Sequence, residues 1–257
     1  MKRLFKHEFY KLFQSVTLKV LIAVAGGIAL LSALSMVLVR FISDAVLGGM
    51  ELTQGYASVH TAMADSTLHI YFGVLIAMIV CSELKNRTMK NTALADFSRG
   101  EIYFAKFLAM ITGITIIIGI STIIYVGTYL LLFGWGQAVT VTSVLKNGVA
   151  IFFMGLLLCY AVAAMLNFFA YLTKNTALVI LIAILMPIAL LIILGIVSII
   201  STNAVNFLMR FTYPYTLSSY FFEQTLTNFA YYLVTVLVML VGFIWGGYAL
   251  FKKQEIK

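Results

Sequence analysis

Six apolar runs, each about as long as a bilayer is thick, leave this chain little choice of fold. They cover approximately 20–39, 64–82, 101–133, 148–172, 176–200 and 229–251. A run of about 20 apolar residues is long enough to cross the hydrocarbon core, and lipid offers no partner for an unpaired backbone group, so each run must be helical. The expected fold class is an all-α integral membrane protein with six transmembrane helices in a single domain over 1–257. The second run is the least regular. Its strongly apolar part begins only at Ile70, so full length requires starting near Ala62 or Ala64. That places Asp65 and His69 four residues apart in the outer turns, either as a polar gate or ligand contact or as a wet helix end with a local hydrogen bond.

Charge sets the orientation. Fourteen of the seventeen lysines and arginines fall in 1–19, 82–106, at Lys174 and in 252–257. Basic residues beside spans stay in the cytoplasm, so both termini are expected inside. The net charge of +8 needs no nucleic acid as partner; anionic lipid headgroups and an inward-facing protein suffice. Residues 1–19 carry Phe5, Phe9, Leu12, Phe13 and Val16 on one helical face, with Arg3, His7, Lys11 and Gln14 away from it. This predicts an interfacial amphipathic helix on the inner leaflet. The first span is long enough to cross and is expected to remain as an anchor rather than be removed as a signal peptide.

The longest polar break is 82–106, which holds Lys85, Arg87, Lys90, Arg99 and Lys106. Ser98 and Glu101 form an S-x-x-E capping box that starts span three sharply. Glu83 and Arg87, four apart, support a helical turn, and Glu83 to Ala95 reads as one or two short surface helices. On its residues alone the strip is either a solvated loop or a docking surface.

Elsewhere, Ala25, Ala29 and Ala33 in span one and Gly155, Cys159 and Ala163 in span four recur every four residues, as helix-packing faces do. Gly242 and Gly246 repeat that spacing in span six. Asn167 is expected to hydrogen-bond between helices. Asn175 can cap span five after a tight turn, and Pro187 marks a kink or hinge at its middle. Trp135 sits in a short outer loop. An outer segment after span one carries Asp44, Glu51 and Gly48-Gly49. The aromatic outer segment 201–228, whose single acid is Glu223 and which Pro214 breaks, suits short helices dipping into the outer leaflet. Cys81 and Cys159 lie within spans and are expected to stay reduced.

Several chemistries lack their residues. The sequence has no G-x-x-x-x-G-K-[ST] loop, no HExxH, no G-x-S-x-G and no histidine spacing suited to a metal. No Asp, Glu, Lys, Arg or His is expected deep in the spans, where ion-coupled carriers usually keep one. An ion-coupled carrier and a non-transporting scaffold or sensor remain as alternatives to a passive bundle worked by a separate motor.

Phe9-Tyr10-Lys11, the run from Glu83 through Lys85, Asn86, Arg87, Thr88, Lys90 and Asn91 to Thr92, and Phe97-Ser98-Arg99-Gly100-Glu101 with Tyr103 and Lys106 carry a resemblance. With them the chain resembles the permease subunits of type-2 ABC exporters, most closely the small permeases of bacitracin and lantibiotic resistance and of amphipathic-peptide export. The resemblance implies a bacterial cytoplasmic membrane protein of two permeases, identical or sister chains, with two ABC ATPase subunits. ATP and Mg would be bound by those ATPases, with no cofactor in this chain. It makes 1–19 an elbow helix and the strip a coupling helix, whose docking residues are Glu83, Lys85, Arg87, Thr88, Lys90, Asn91, Ser98, Arg99 and Glu101. It makes 201–228 a pair of re-entrant helices. No substrate residue matches a family motif; Asp65, His69, Asn167 and Glu223 are the candidates for a peptide or lipid-like substrate.

Overall fold

The computed structural model describes residues 2–46, 55–65, 67–85, 97–134, 141–213, 215–222 and 225–253. The elements described are all helical. Six helices are long and apolar enough to cross a membrane: Val16–Met36, Leu68–Lys85, Arg99–Leu132, Asn147–Thr173, Thr176–Ile200 and Leu226–Lys253. We call them spans one to six. Spans two and four are the most enclosed, 61% buried, whereas spans five and six are 17% buried and turn apolar surface outward. Span six packs along span four, span one along span three, and span two against spans four and five.

The start helix, Lys2–Gln14, is separated from span one by Ser15 alone. Ser15 makes the corner self-sufficient, its hydroxyl donating to Leu12 O at 2.8 Å and accepting from Leu18 N at 3.2 Å. The helix presents two adjacent stripes rather than the one read from its aromatics. Leu4, Glu8 and Leu12, at i, i+4 and i+8, are buried, and the helix packs against span three. Phe13 and Val16, expected on a single face with Leu12, stay exposed, where lipid would cover them.

Span two corrects the sequence reading most. It does not begin at Ala62 or Ala64: Gly55–Ala64 is a helix of its own, the chain breaks, and span two starts at Leu68. Asp65 lies in the break, its Oδ1 accepting from Thr67 N at 2.9 Å, so Asp65 and His69 share no helix face. Nor is His69 at a wet end. It is 1% exposed and meets the Tyr213 ring edge-on at 4.6 Å. Between Ala77 and Cys81 the span widens into a π turn, then runs as α-helix to Lys85.

Small residues set the closest approaches, as they must where lipid removes the hydrophobic drive between helices. Ala25 and Ala33 are buried on the face of span one. A Cβ on Gly155 would stand 2.6 Å from Met63 Cγ, and one on Gly73 would stand 2.5 Å from the Ala183 Cβ of span five. In span six the contact falls on Gly246 and Gly247, against Phe168 and Tyr103, while a Cβ on Gly242 would meet open space. The expected Gly242-xxx-Gly246 motif is therefore displaced to the neighbouring pair.

Asn175 caps span five, accepting from Ala177 N at 2.9 Å, and the preceding turn is tight enough to hold Lys174 at φ 54°. Thr176–Ile200 remains one helix through Pro187. The segment before span six forms two short helices, Thr202–Arg210 and Tyr215–Phe222. Both cysteines are buried thiols. Trp135, Glu51, Gly48-Gly49, Pro214 and Glu223 lie outside the described residues.

Candidate functional site

Four charged side chains meet where the start helix, the end of span two and the first turns of span three converge. Lys106 Nζ lies 3.0 Å from Glu8 Oε1 and also donates to Glu83 Oε2, while Glu83 Oε1 accepts from Lys11 Nζ. The result is an alternating chain, Glu8–Lys106–Glu83–Lys11. Lys106, Glu8 and Glu83 are 1%, 4% and 6% exposed; only Lys11 reaches solvent. Taking such charges out of water costs several kcal/mol per ion. The cost is offset only by close, hydrogen-bonded opposite charges, and here each buried charge has them. A cavity of about 310 Å³ adjoins this junction, lined in part by Glu8, Lys11, Ser15 and Glu83.

Span three carries a second set of ties one turn earlier. Ser98 N donates to Glu101 Oε2 at 2.9 Å and Glu101 N to Ser98 Oγ at 3.2 Å, so the capping box forms as its residues required. Arg99 Nη1 donates to Lys252 O at the end of span six, at 2.6 Å. Tyr103 Oη donates to Ile244 O at 3.0 Å and accepts from Asn167 Nδ2 at 3.4 Å. A Cβ on Gly247 would stand 2.6 Å from that phenol oxygen, which is why span six has glycine there. Rings of Phe107, Tyr171, Tyr248 and Phe251 surround Tyr103 at 5.4–6.3 Å. The inner end of span three is therefore bonded to the start helix and spans two, four and six.

The expected docking residues divide accordingly. Glu83 faces Lys11 and Lys106; Lys85 is exposed at the end of span two; Ser98, Arg99 and Glu101 cap span three. Arg87, Thr88, Lys90 and Asn91 lie outside the described residues, as does most of the helical stretch expected over 83–95. Asn167 is the interhelical hydrogen bonder expected of it, 2% exposed. Sequence reasoning missed Glu8, Lys11 as a partner, and the part Tyr103 plays in tying span three to spans four and six. It also counted Lys106 with the solvated strip, although it is buried within the span-three helix. The signal available was the Leu4–Glu8–Leu12 spacing, which sets an acid in a buried stripe and so calls for a base opposite.

The outer end is held differently. Burial lowers the His60 pKa, and its ring stacks on Phe221 at 4.4 Å, with Nε2 3.1 Å from Ser218 Oγ. This joins the Gly55–Ala64 helix to Tyr215–Phe222. Among the described residues no His, Cys, Asp and Glu group could hold a metal ion.

Removing the Ser98 hydroxyl tests the cap directly. Ser98→Ala should weaken the first turn of span three by about 1 kcal/mol. Amide exchange at Glu101 should then run about fivefold faster; unchanged exchange would mean the cap contributes nothing there.

Two comparisons with known proteins bear on this arrangement. No curated protein matches the chain. A family profile described as ABC-2 family transporter protein matches residues 4–190.

Proposed function

Because this chain belongs to the ABC-2 family of transporter membrane proteins, a multi-pass permease that does not itself hydrolyse ATP, we propose that residues 83–101 seat its partner ATPase. ABC-2 permeases pair with ABC ATPase subunits. On this reading two ATPases, holding ATP and Mg, grip the strips of two permeases, either two copies of this chain or one copy and a sister. The cargo is an amphipathic or antimicrobial peptide or a lipid-like drug, exported from the membrane or across it.

The observation that carries the proposal is the ion-paired junction. Glu83, at the leading edge of the strip, is tied through Lys106 and Lys11 to the start helix, and the far edge is capped onto span three. A force applied to the strip would reach the start helix and spans two, three and six together. Buried charge of this kind is well suited to transmitting position, since any displacement must separate ions in a medium that does not screen them. The cargo class is supported by the chain's broad outward-facing apolar surfaces, including Leu191, Ile192, Val238 and Trp245.

The test is charge reversal within the strip. Arg87→Glu combined with Lys90→Glu should reduce the ATPase that co-purifies with the tagged chain at least about tenfold, through a loss of about 1.4 kcal/mol or more. Quantitative mass spectrometry of the purified complex reads it. Full association and transport after the reversal would remove the strip from the interface.

A further inference from the structure

The outer half of the molecule contains a cavity of about 470 Å³ between span one, the Gly55–Ala64 helix and the outer ends of spans two and three. That volume lies in the range of small-molecule sites. One wall is the small-residue stripe of span one, Ala25 and Ala29, with Ile28 beside it. The other carries Asp65, Thr67, Tyr71 and Tyr125.

Three features of the polar wall point to an occupant. Among the described residues Asp65 is the only charged side chain lining the cavity, and no cation among them forms an ion pair with it. Its carboxylate is held by the Thr67 N–H, which engages Oδ1 alone. Tyr71 is 6% exposed, and its hydroxyl lies against that of Thr67, both buried and neither with any further hydrogen-bond partner among the described residues. Two hydroxyls with only each other keep acceptor capacity unused, and underused buried polar groups call for an explanation such as a bound water or ion. A carboxylate, two hydroxyl oxygens and the rings of Tyr71 and Tyr125 offer acceptors and π-faces, a set suited to a cation.

We propose that this cavity binds an amphiphilic amine, with its ammonium group on Asp65, Thr67 and Tyr71 and its aliphatic part along Ala25, Ile28 and Ala29. Three acceptors match the three N–H donors of a primary ammonium. This deepens the proposed function by giving the cargo a chemical class, and it rests on that reading only for the ligand being cargo. Binding itself involves one permease and no ATPase.

The experiment uses the full chain in phosphatidylcholine nanodiscs, with radiolabelled decylamine as the probe and empty discs subtracted. Decylamine should bind saturably, and decyl sulfate, with the same tail and opposite charge, should not compete. Asp65→Asn keeps an acceptor for the Thr67 N–H but removes the charge, and should weaken binding about tenfold or more, as loss of a charged hydrogen bond does. Tyr71→Phe should weaken it a few-fold. Ala29→Phe, which fills the cavity from the apolar side, should abolish saturable binding, and it decides the matter should Asp65→Asn fail to fold. Equal competition by decyl sulfate, or unchanged affinity in Asp65→Asn or Ala29→Phe, would overturn the proposal. ATPase co-purification measured on the same variants should stay at the wild-type level. A failure of the cavity is thereby distinguished from a failure of the docking strip.

Discussion

Replacing Lys106 with methionine should destabilise the folded bundle by about 3–5 kcal/mol, the usual cost of removing one partner from a buried ion group. The lost attraction is only part of this. Lys106 is 1% exposed, and two carboxylates, Glu8 and Glu83, depend on it. Without it Glu8 keeps no ion partner among the described pairs, and Glu83 leans on Lys11, whose side chain is 49% exposed. The two acids would also repel each other. The expected signs are a large drop in thermal midpoint in nanodiscs and a start helix newly open to proteolysis. Adding Glu8→Gln and Glu83→Gln to Lys106→Met should recover most of the loss, because the uncompensated charges go with it. A single variant as stable as the wild type would show that water already reaches the junction and that its burial is illusory.

Among the described glycines, Gly73→Ala should be the most damaging single-methyl change, at about 1–3 kcal/mol. The added Cβ would stand 2.5 Å from the Ala183 Cβ, an atom fixed to the span-five backbone that cannot rotate aside. Spans two and five would have to separate, along with the buried Phe72, Ile76 and Val179 beside that contact. Ala183→Gly should restore most of the stability of Gly73→Ala, although alone it leaves a small gap and costs stability itself. Unfolding midpoints of the four members of this cycle give the coupling directly. Simple additivity would mean that the two helices do not touch where the geometry puts them.

Apolar length was legible without any coordinates, and so were span number, the caps at Ser98 and Asn175 and the small-residue faces of spans one and four. Each depends on a local spacing that one helix contains by itself. The errors share one physical character: each depends on what a second helix supplies. Span two reads too long in sequence because Ala62 and Ala64 are apolar, yet they belong to a separate helix packed on spans three and four. His69 looks wet in a row of letters and is buried because Tyr213, far along the chain, covers it. Lys106 looks solvated beside Arg99, and Glu8 looks like part of a polar flank. Only their convergence in space makes them a pair. Gly242 fits a packing motif, but the partner helices lie against Gly246 and Gly247.

The wide turn at Ala77–Cys81 has a consequence for how span two can change. A π turn accommodates one residue more than α-helix needs over the same path. The helix on its outer side is phased by Gly73 against span five, and the helix on its inner side by Glu83 against Lys106 and Lys11. Deleting one residue from the turn would leave both phases intact. Drawing the turn into regular α-helix with its full complement would instead rotate Glu83 by about 100° and advance it about 1.5 Å, turning the carboxylate away from both lysines. Span two thus carries, in a single loose coil, the slack by which its two ends can be geared to each other or set free.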